Sequence, residues 1–345
     1  MVVVHPQPQV VMSQILQARS GRRSRRRATM LSLAVLSLFV RVATGQAPAP
    51  TSVAPTLPGT TFDDTIPSGY NFAKAEFRLW VPEGVKSLRG IVLLMPGSNG
   101  DGRAMSQDTV WQRFAVKHEF ALVAGRLTDK PHEQNFIEDY IRVSDGSGQA
   151  VLTAINDFAS SSRHPELATA PLLLWGMSAG GQFNYEFVAW KPERVIAFVV
   201  NKGGIYYSAL LPRSARETPG VLFVGGKDLE FRTNTIVGLF AVNRRAGALW
   251  ALSEEPGVGH VVGRSRELAL LFYEDVMKER LSAIPGPLKP MPARPSFVGD
   301  FKSRAFQPTA DGNAPGYPTA WLPSERVARA WQSILTPLTT TSTPK

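Results

Sequence analysis

The sequence has no cysteine. That absence excludes disulfide staples, thiolate metal sites and cysteine nucleophiles together. Histidine is scarce, with five in 345 residues. None sits in an H-E-x-x-H pair, so the usual zinc-hydrolase spacing is missing, and with no Cys/His cluster a metal site has little to rest on. The Gly-Lys-Ser/Thr ending of a phosphate loop and the dinucleotide fingerprint are also absent. Residues 1–45 contain no acidic residue at all, although they carry Arg19, Arg22, Arg23, Arg25, Arg26, Arg27 and Arg41.

That last absence changes the meaning of the overall charge, which is +10. Without those seven arginines, 31 basic residues face 28 acidic ones, a balance of +3. The body is nearly neutral and offers no basic face for counterion release, so no nucleic-acid partner is expected. The arginines instead form a basic n-region, followed by an apolar stretch at 31–40 that is too short for a stable membrane span. Ala43-Thr44-Gly45 supplies small residues for a signal peptidase. A signal peptide over 1–45, cleavage after Gly45 and a secreted or periplasmic product are therefore expected.

Residues 46–65 read as a linker, being rich in Pro, Ala and Thr at their start. The tail at 336–345 is similar and is expected to be disordered. Between them no repeat is visible. Apolar runs at 75–81, 90–95, 120–124, 171–175, 195–200, 221–224 and 248–252 predict strands, several of them continuously apolar as in sheets covered on both faces. Helical patterns fall between them at 149–160, after Gly180-Gly181 and at 265–281. Strands alternating with helices predict an α/β domain over 66–283 with a mostly parallel central sheet and helices on both faces. Residues 284–335 are expected to form a C-terminal extension packing on that domain, ending in a helix at 324–335.

The chemistry concentrates in LLLWGMSAGGQF. A strand at 172–175 runs into Gly176-Met177-Ser178-Ala179-Gly180, a G-x-S-x-G box, and then into a helix. In that context the turn is too tight for side chains at the glycines and lifts the serine Oγ to the edge of the sheet. Ser178 is the candidate nucleophile, and the Ala179 amide, at a helix N-terminus, is a candidate oxyanion donor. A serine needs a base. Of the five histidines only His260 follows Ser178, in a Gly-rich turn between a strand and a helix. Asp228 follows the strand at 221–224 and is the candidate acid, with Glu230 as its rival and Glu254 and Glu255 as further alternatives. A second oxyanion donor is expected from the loop Leu94-Met95-Pro96-Gly97-Ser98-Asn99-Gly100, with the Ser98 amide preferred and Asn99 as the fallback.

These residues resemble the α/β-hydrolase superfamily over about 70–282. Pro96-Gly97-Ser98 and the 176–181 box are similar to secreted esterases of the polyhydroxybutyrate-depolymerase, feruloyl-esterase, cutinase and dienelactone-hydrolase-like groups. Many members have His-Gly where this chain has Pro96-Gly97. The resemblance implies an α/β-hydrolase fold and a carboxylic-ester hydrolase without a cofactor, with Ser178, His260 and Asp228 as catalytic residues and Ser98 and Ala179 as oxyanion amides.

Only about twenty residues separate the strand ending near 200 from that at 221, so no large cap domain is expected over the site. An open cleft suits small-molecule or polymeric esters. Tyr206 and Tyr207 are candidates for its lining, as is Asn99, and the long segment 126–148 is a candidate wall. A monomer is expected. The competing readings are a serine peptidase of the same fold and a non-catalytic secreted binding protein on a hydrolase scaffold.

Overall fold

A computed structural model describes residues 56–133, 137–282, 286–292, 296–309 and 319–336. The expected signal peptide, the linker's first ten residues and the tail beyond 336 lie outside the described residues.

Eight strands form the main sheet: β1 (Gly59–Ile66), β2 (Lys74–Pro82), β3 (Gly90–Met95), β4 (Phe120–Thr128), β5 (Leu172–Gly176), β6 (Val195–Asn201), β7 (Gly220–Gly225) and β8 (Trp250–Glu255). Their spatial order is β1-β2-β4-β3-β5-β6-β7-β8. β2 runs antiparallel to both β1 and β4, and every pairing from β4 to β8 is parallel. The helices are α1 (Thr109–His118), α2 (Ser147–Ser161), α3 (Ala179–Trp190), the short α4 (Arg213–Arg216), α5 (Glu230–Arg245), α6 (Ser265–Arg280) and α7 (Glu325–Leu335).

Successive residues of the central strands feed opposite cores, as the two-residue period of a strand requires. Ile91, Leu93, Leu172 and Leu174 face the layer of α2, α3 and α5. Val92, Leu94, Leu173 and Trp175 face the layer of α1, α6 and α7. Continuously apolar strands are thereby satisfied on both faces. Only α4 lies between β6 and β7, so among the described residues no large cap is inserted there. This strand order, with a sharp strand-to-helix turn after β5, is the α/β-hydrolase fold.

The expected linker needs correcting. Its residues from Gly59 onward are β1, paired residue by residue with β2 from Gly59↔Pro82 to Ile66↔Ala75. The sequence GTTFDDTI hid the strand because it is an edge: only Phe62 and Ile66 pack against the core.

The C-terminal part builds a small sheet in which β9 (Phe297–Asp300) lies between β10 (Phe306–Pro308) and β11 (Thr319–Leu322). α7 buries Val327, Trp331 and Ile334, and Trp331 Nε1 donates to the Leu252 carbonyl of β8 at 2.7 Å. Ser324 caps α7 by accepting from the Val327 amide. Among the described residues no helix is long and apolar enough to cross a membrane.

Candidate active site

β5 ends at Gly176 and α3 begins at Ala179, leaving Met177 and Ser178 to make the turn. A side chain on Gly176 would meet the Gly180 backbone at 2.3 Å, and one on Gly180 would meet the Met95 carbonyl oxygen at 2.3 Å. The turn closes only with glycine at both places. Ser178 is forced to φ +55°, a left-handed conformation that costs on the order of 1–3 kcal/mol and persists only where neighbours over-determine it. The neighbours are visible. The Ser178 amide donates to the Asn201 carbonyl of β6 at 2.8 Å, and the Met177 amide to the Met95 carbonyl of β3 at 3.3 Å.

Ser178, His260 and Asp228 form one hydrogen-bonded row. His260 Nε2 lies 2.9 Å from Ser178 Oγ, and His260 Nδ1 lies 2.8 Å from Asp228 Oδ2. The row extends further, because Asp228 Oδ1 accepts from the Leu229 amide at 2.7 Å and from Arg232 at 3.2 Å. The Asp228 side chain is 2% exposed. Burial would raise its carboxyl, but the bonds from His260, Leu229 and Arg232 outweigh burial and hold it below the usual carboxylate range.

The structure separates Asp228 from its rivals. Glu230 is exposed at the start of α5, where among the described residues its hydrogen-bond partner is Asn234, and Glu254 is exposed. Glu255 is buried and committed elsewhere, to the Lys202 amine and to the Arg264 amide at 2.5 Å. Lys202 is fully buried and also donates to Asn201 Oδ1 at 3.0 Å. Burial draws its amine below the usual lysine range, and Glu255 offsets this in part. Asn201 in turn donates to the Val262 carbonyl and to Ser265 Oγ. One polar network therefore joins the turn that carries Ser178 to the loop that carries His260.

Gly97 lies over the serine, with its hypothetical Cβ 3.6 Å from Ser178 Cβ. Neither the Ser98 nor the Ala179 amide finds an acceptor among the described residues. Both donors are free beside Ser178. Asn99 is used differently: its amide donates to Tyr140 Oη at 3.2 Å, and its Oδ1 accepts from the Asp129 amide at 2.7 Å.

A cleft of about 430 Å³ opens at Ser178 and His260. Tyr206 and Tyr207, expected in its lining, are not there. The Tyr206 ring packs edge-on against Tyr185 at 5.0 Å as part of the core cover. Tyr207 turns toward Arg142, whose guanidinium stacks on its ring at 4.4 Å above a separate cavity. The reason is a turn in the 205–208 backbone, where the Tyr207 and Ser208 amides both donate to Glu186. Asn99 is absent from the lining as well, whereas Gly97, Ser98 and Gly100 contribute to it.

Glu138 of the lining comes from the 126–148 segment expected as a wall, and Met177, Gln182, Gly204, Ile205, Phe231 and Arg232, which sequence reasoning missed, take the remaining positions. Spacing could have found two of them. Gln182 follows Ser178 by four residues and Arg232 follows Asp228 by four, which places each one helical turn from its partner. Among the described residues no group of three or more acidic or histidine side chains could hold a metal ion.

No family model matches the chain, and no curated protein matches it by sequence. Solved structures with a similar chain trace include a poly(3-hydroxybutyrate) depolymerase from Bordetella parapertussis. It is 15% identical with a TM-score of 0.48, over 66% of this chain and 91% of that one. A ferulic acid esterase is 12% identical with a TM-score of 0.46, over 65% of this chain and 98% of that one. A Pyrobaculum calidifontis esterase is 16% identical with a TM-score of 0.44, over 64% of this chain and 85% of that one. At such identities the site is read from its own geometry.

Proposed function

We propose that the protein is a serine carboxylic-ester hydrolase. One observation carries the reading: Ser178, at φ +55° on a strand-to-helix turn, is hydrogen-bonded to His260, which is hydrogen-bonded to a buried, ionised Asp228. In this mechanism His260 Nε2 takes the Ser178 proton as Oγ attacks the ester carbonyl. Asp228 accepts from Nδ1–H, which sets the tautomer and stabilises the imidazolium that forms. The free Ala179 and Ser98 amides receive the oxyanion. The imidazolium returns its proton to the departing alkoxide. Water activated by the same histidine then hydrolyses the acyl-enzyme.

A fluorophosphonate probe tests this directly. It should label the wild-type protein and fail to label Ser178→Ala, and equal labelling of both would sink the reading. Hydrolysis of aminoacyl anilides without hydrolysis of p-nitrophenyl esters would turn it toward a peptidase. The basic, acid-free leader supports export, and the intact mass of the exported protein should correspond to a chain beginning at Gln46.

A further inference from the structure

We propose that the cleft at Ser178 selects esters bearing a protonated amine close to the scissile carbonyl, with Glu138 binding the ammonium and Gln182 donating to an acceptor beside it. The proposal rests on the ester-hydrolase reading and adds a charge to the substrate.

Two buried groups carry it. Glu138 is 4% exposed and lines the cleft, yet among the described residues its carboxylate has neither an ion pair nor a hydrogen-bond partner. Gln182 is also 4% exposed and lines the same cleft. Its Oε1 accepts from the Gly204 amide at 3.0 Å, which fixes the orientation of the carboxamide. Its Nε2 is then left buried with no partner. An orphaned buried atom such as Gln182 Nε2 is uncommon, because burial removes water without replacing its hydrogen bonds.

The charges of the lining decide what fits. Arg232 is engaged with Asp228 at 3.2 Å, and among the described residues it makes no ion pair with Glu138. Gln134, Asn135 and Phe136, which precede it in the chain, carry no charge. An alkyl acyl group would leave Glu138 and Gln182 both unpaired. A carboxylate would be repelled by Glu138. A hydroxyl would pair with it and leave its charge uncompensated. An ammonium supplies both the donor and the charge, and charge-assisted bonds are the stronger kind. Glu138 and Gln182 of α3 thus bring to the cleft one carboxylate and one amide donor that neither the Ser178 row nor the oxyanion amides require.

The test compares the p-nitrophenyl esters of alanine and of isobutyric acid, which differ by NH₃⁺ against CH₃ at one position. Each kcat/KM is divided by that ester's spontaneous hydrolysis rate. The wild-type ratio should favour the alanyl ester by about tenfold or more, and Glu138→Gln should bring it near one. Labelling of the variant by a fluorophosphonate reports an intact site. A measurement on wild type alone gives a second reading: alaninamide should inhibit isobutyryl-ester hydrolysis about tenfold more strongly than lactamide. A wild-type ratio near one, equal inhibition by the two amides, or a ratio that survives Glu138→Gln overturns the proposal and leaves the esterase reading standing. Hydrolysis of neither ester overturns both.

Discussion

Asp228 and Glu230 are two residues apart, and the chain could have used either carboxylate to hold His260. Backbone direction decides between them. Asp228 ends the turn after β7 and points inward to His260, while Glu230 begins α5 on its exposed side. Asp228→Asn should therefore lower kcat by about 10³–10⁴-fold through the wrong histidine tautomer. Glu230→Gln should stay within about twofold of wild type, as surface changes usually do. Steady-state hydrolysis of p-nitrophenyl isobutyrate checks both, and a larger loss in the Glu230 variant would reverse the assignment. At this scale the sequence was informative where elimination worked. His260 is the only histidine after Ser178, and the glycines of the box leave one way to build the turn. Tyr206 and Tyr207 were not legible, because the Glu186 carboxylate that turns their backbone belongs to α3, twenty residues upstream. Glu138 was silent as an individual residue for a related reason: being unpartnered is a property of three-dimensional surroundings.

Elements repeat the lesson. β3, β5, β6 and β7 were legible because each is a continuous apolar run, the pattern of a strand buried on both faces. β1 was hidden by its threonines and aspartates, and α5 by a weakly segregated face on which only Ile236, Leu239 and Phe240 are buried hydrophobics. The link from β6 to the His260 loop could not be read at all, since Lys202 and Glu255 are ordinary surface residue types that here lie inside. Removing one partner leaves the other charge buried and unpaired. Lys202→Met should cost about 3–5 kcal/mol, and Lys202→Met combined with Glu255→Leu should recover most of that loss. Urea unfolding of the two variants gives the comparison. A double variant no more stable than the single one would mean that the pair's other bonds, to Asn201 and the Arg264 amide, carry the effect.

For the molecule as a whole, acid is the informative variable. Glu274 on α6 binds Lys117 at 2.6 Å and lies 3.2 Å from His118, both of α1, and it binds Arg326 of α7 at 2.9 Å. Burial would raise its carboxyl, but these partners hold it down at about 2, against an ordinary value of 4.5. A carboxyl depressed by folding stabilises above its unfolded value and loses that contribution as pH falls toward its folded one. Stability should therefore decline between pH 4.5 and about 2, with up to about 3 kcal/mol of the decline due to this group. Glu274→Gln should be less stable at neutral pH and show a shallower decline. Unfolding midpoints at neutral pH and at about pH 3 measure the difference.

β8 is the last strand of the main sheet, and the Leu252 carbonyl on it is taken by Trp331. The cover over this edge, β11 and α7, is the last described part of the chain to be made. A growing chain therefore holds Ser178, Asp228 and His260 before it can seal the sheet that supports them. Until Trp331 docks on Leu252, one margin of that sheet lacks its cover. The closing residues act as a latch, and a chain cut short before Trp331 should aggregate more readily than the full one.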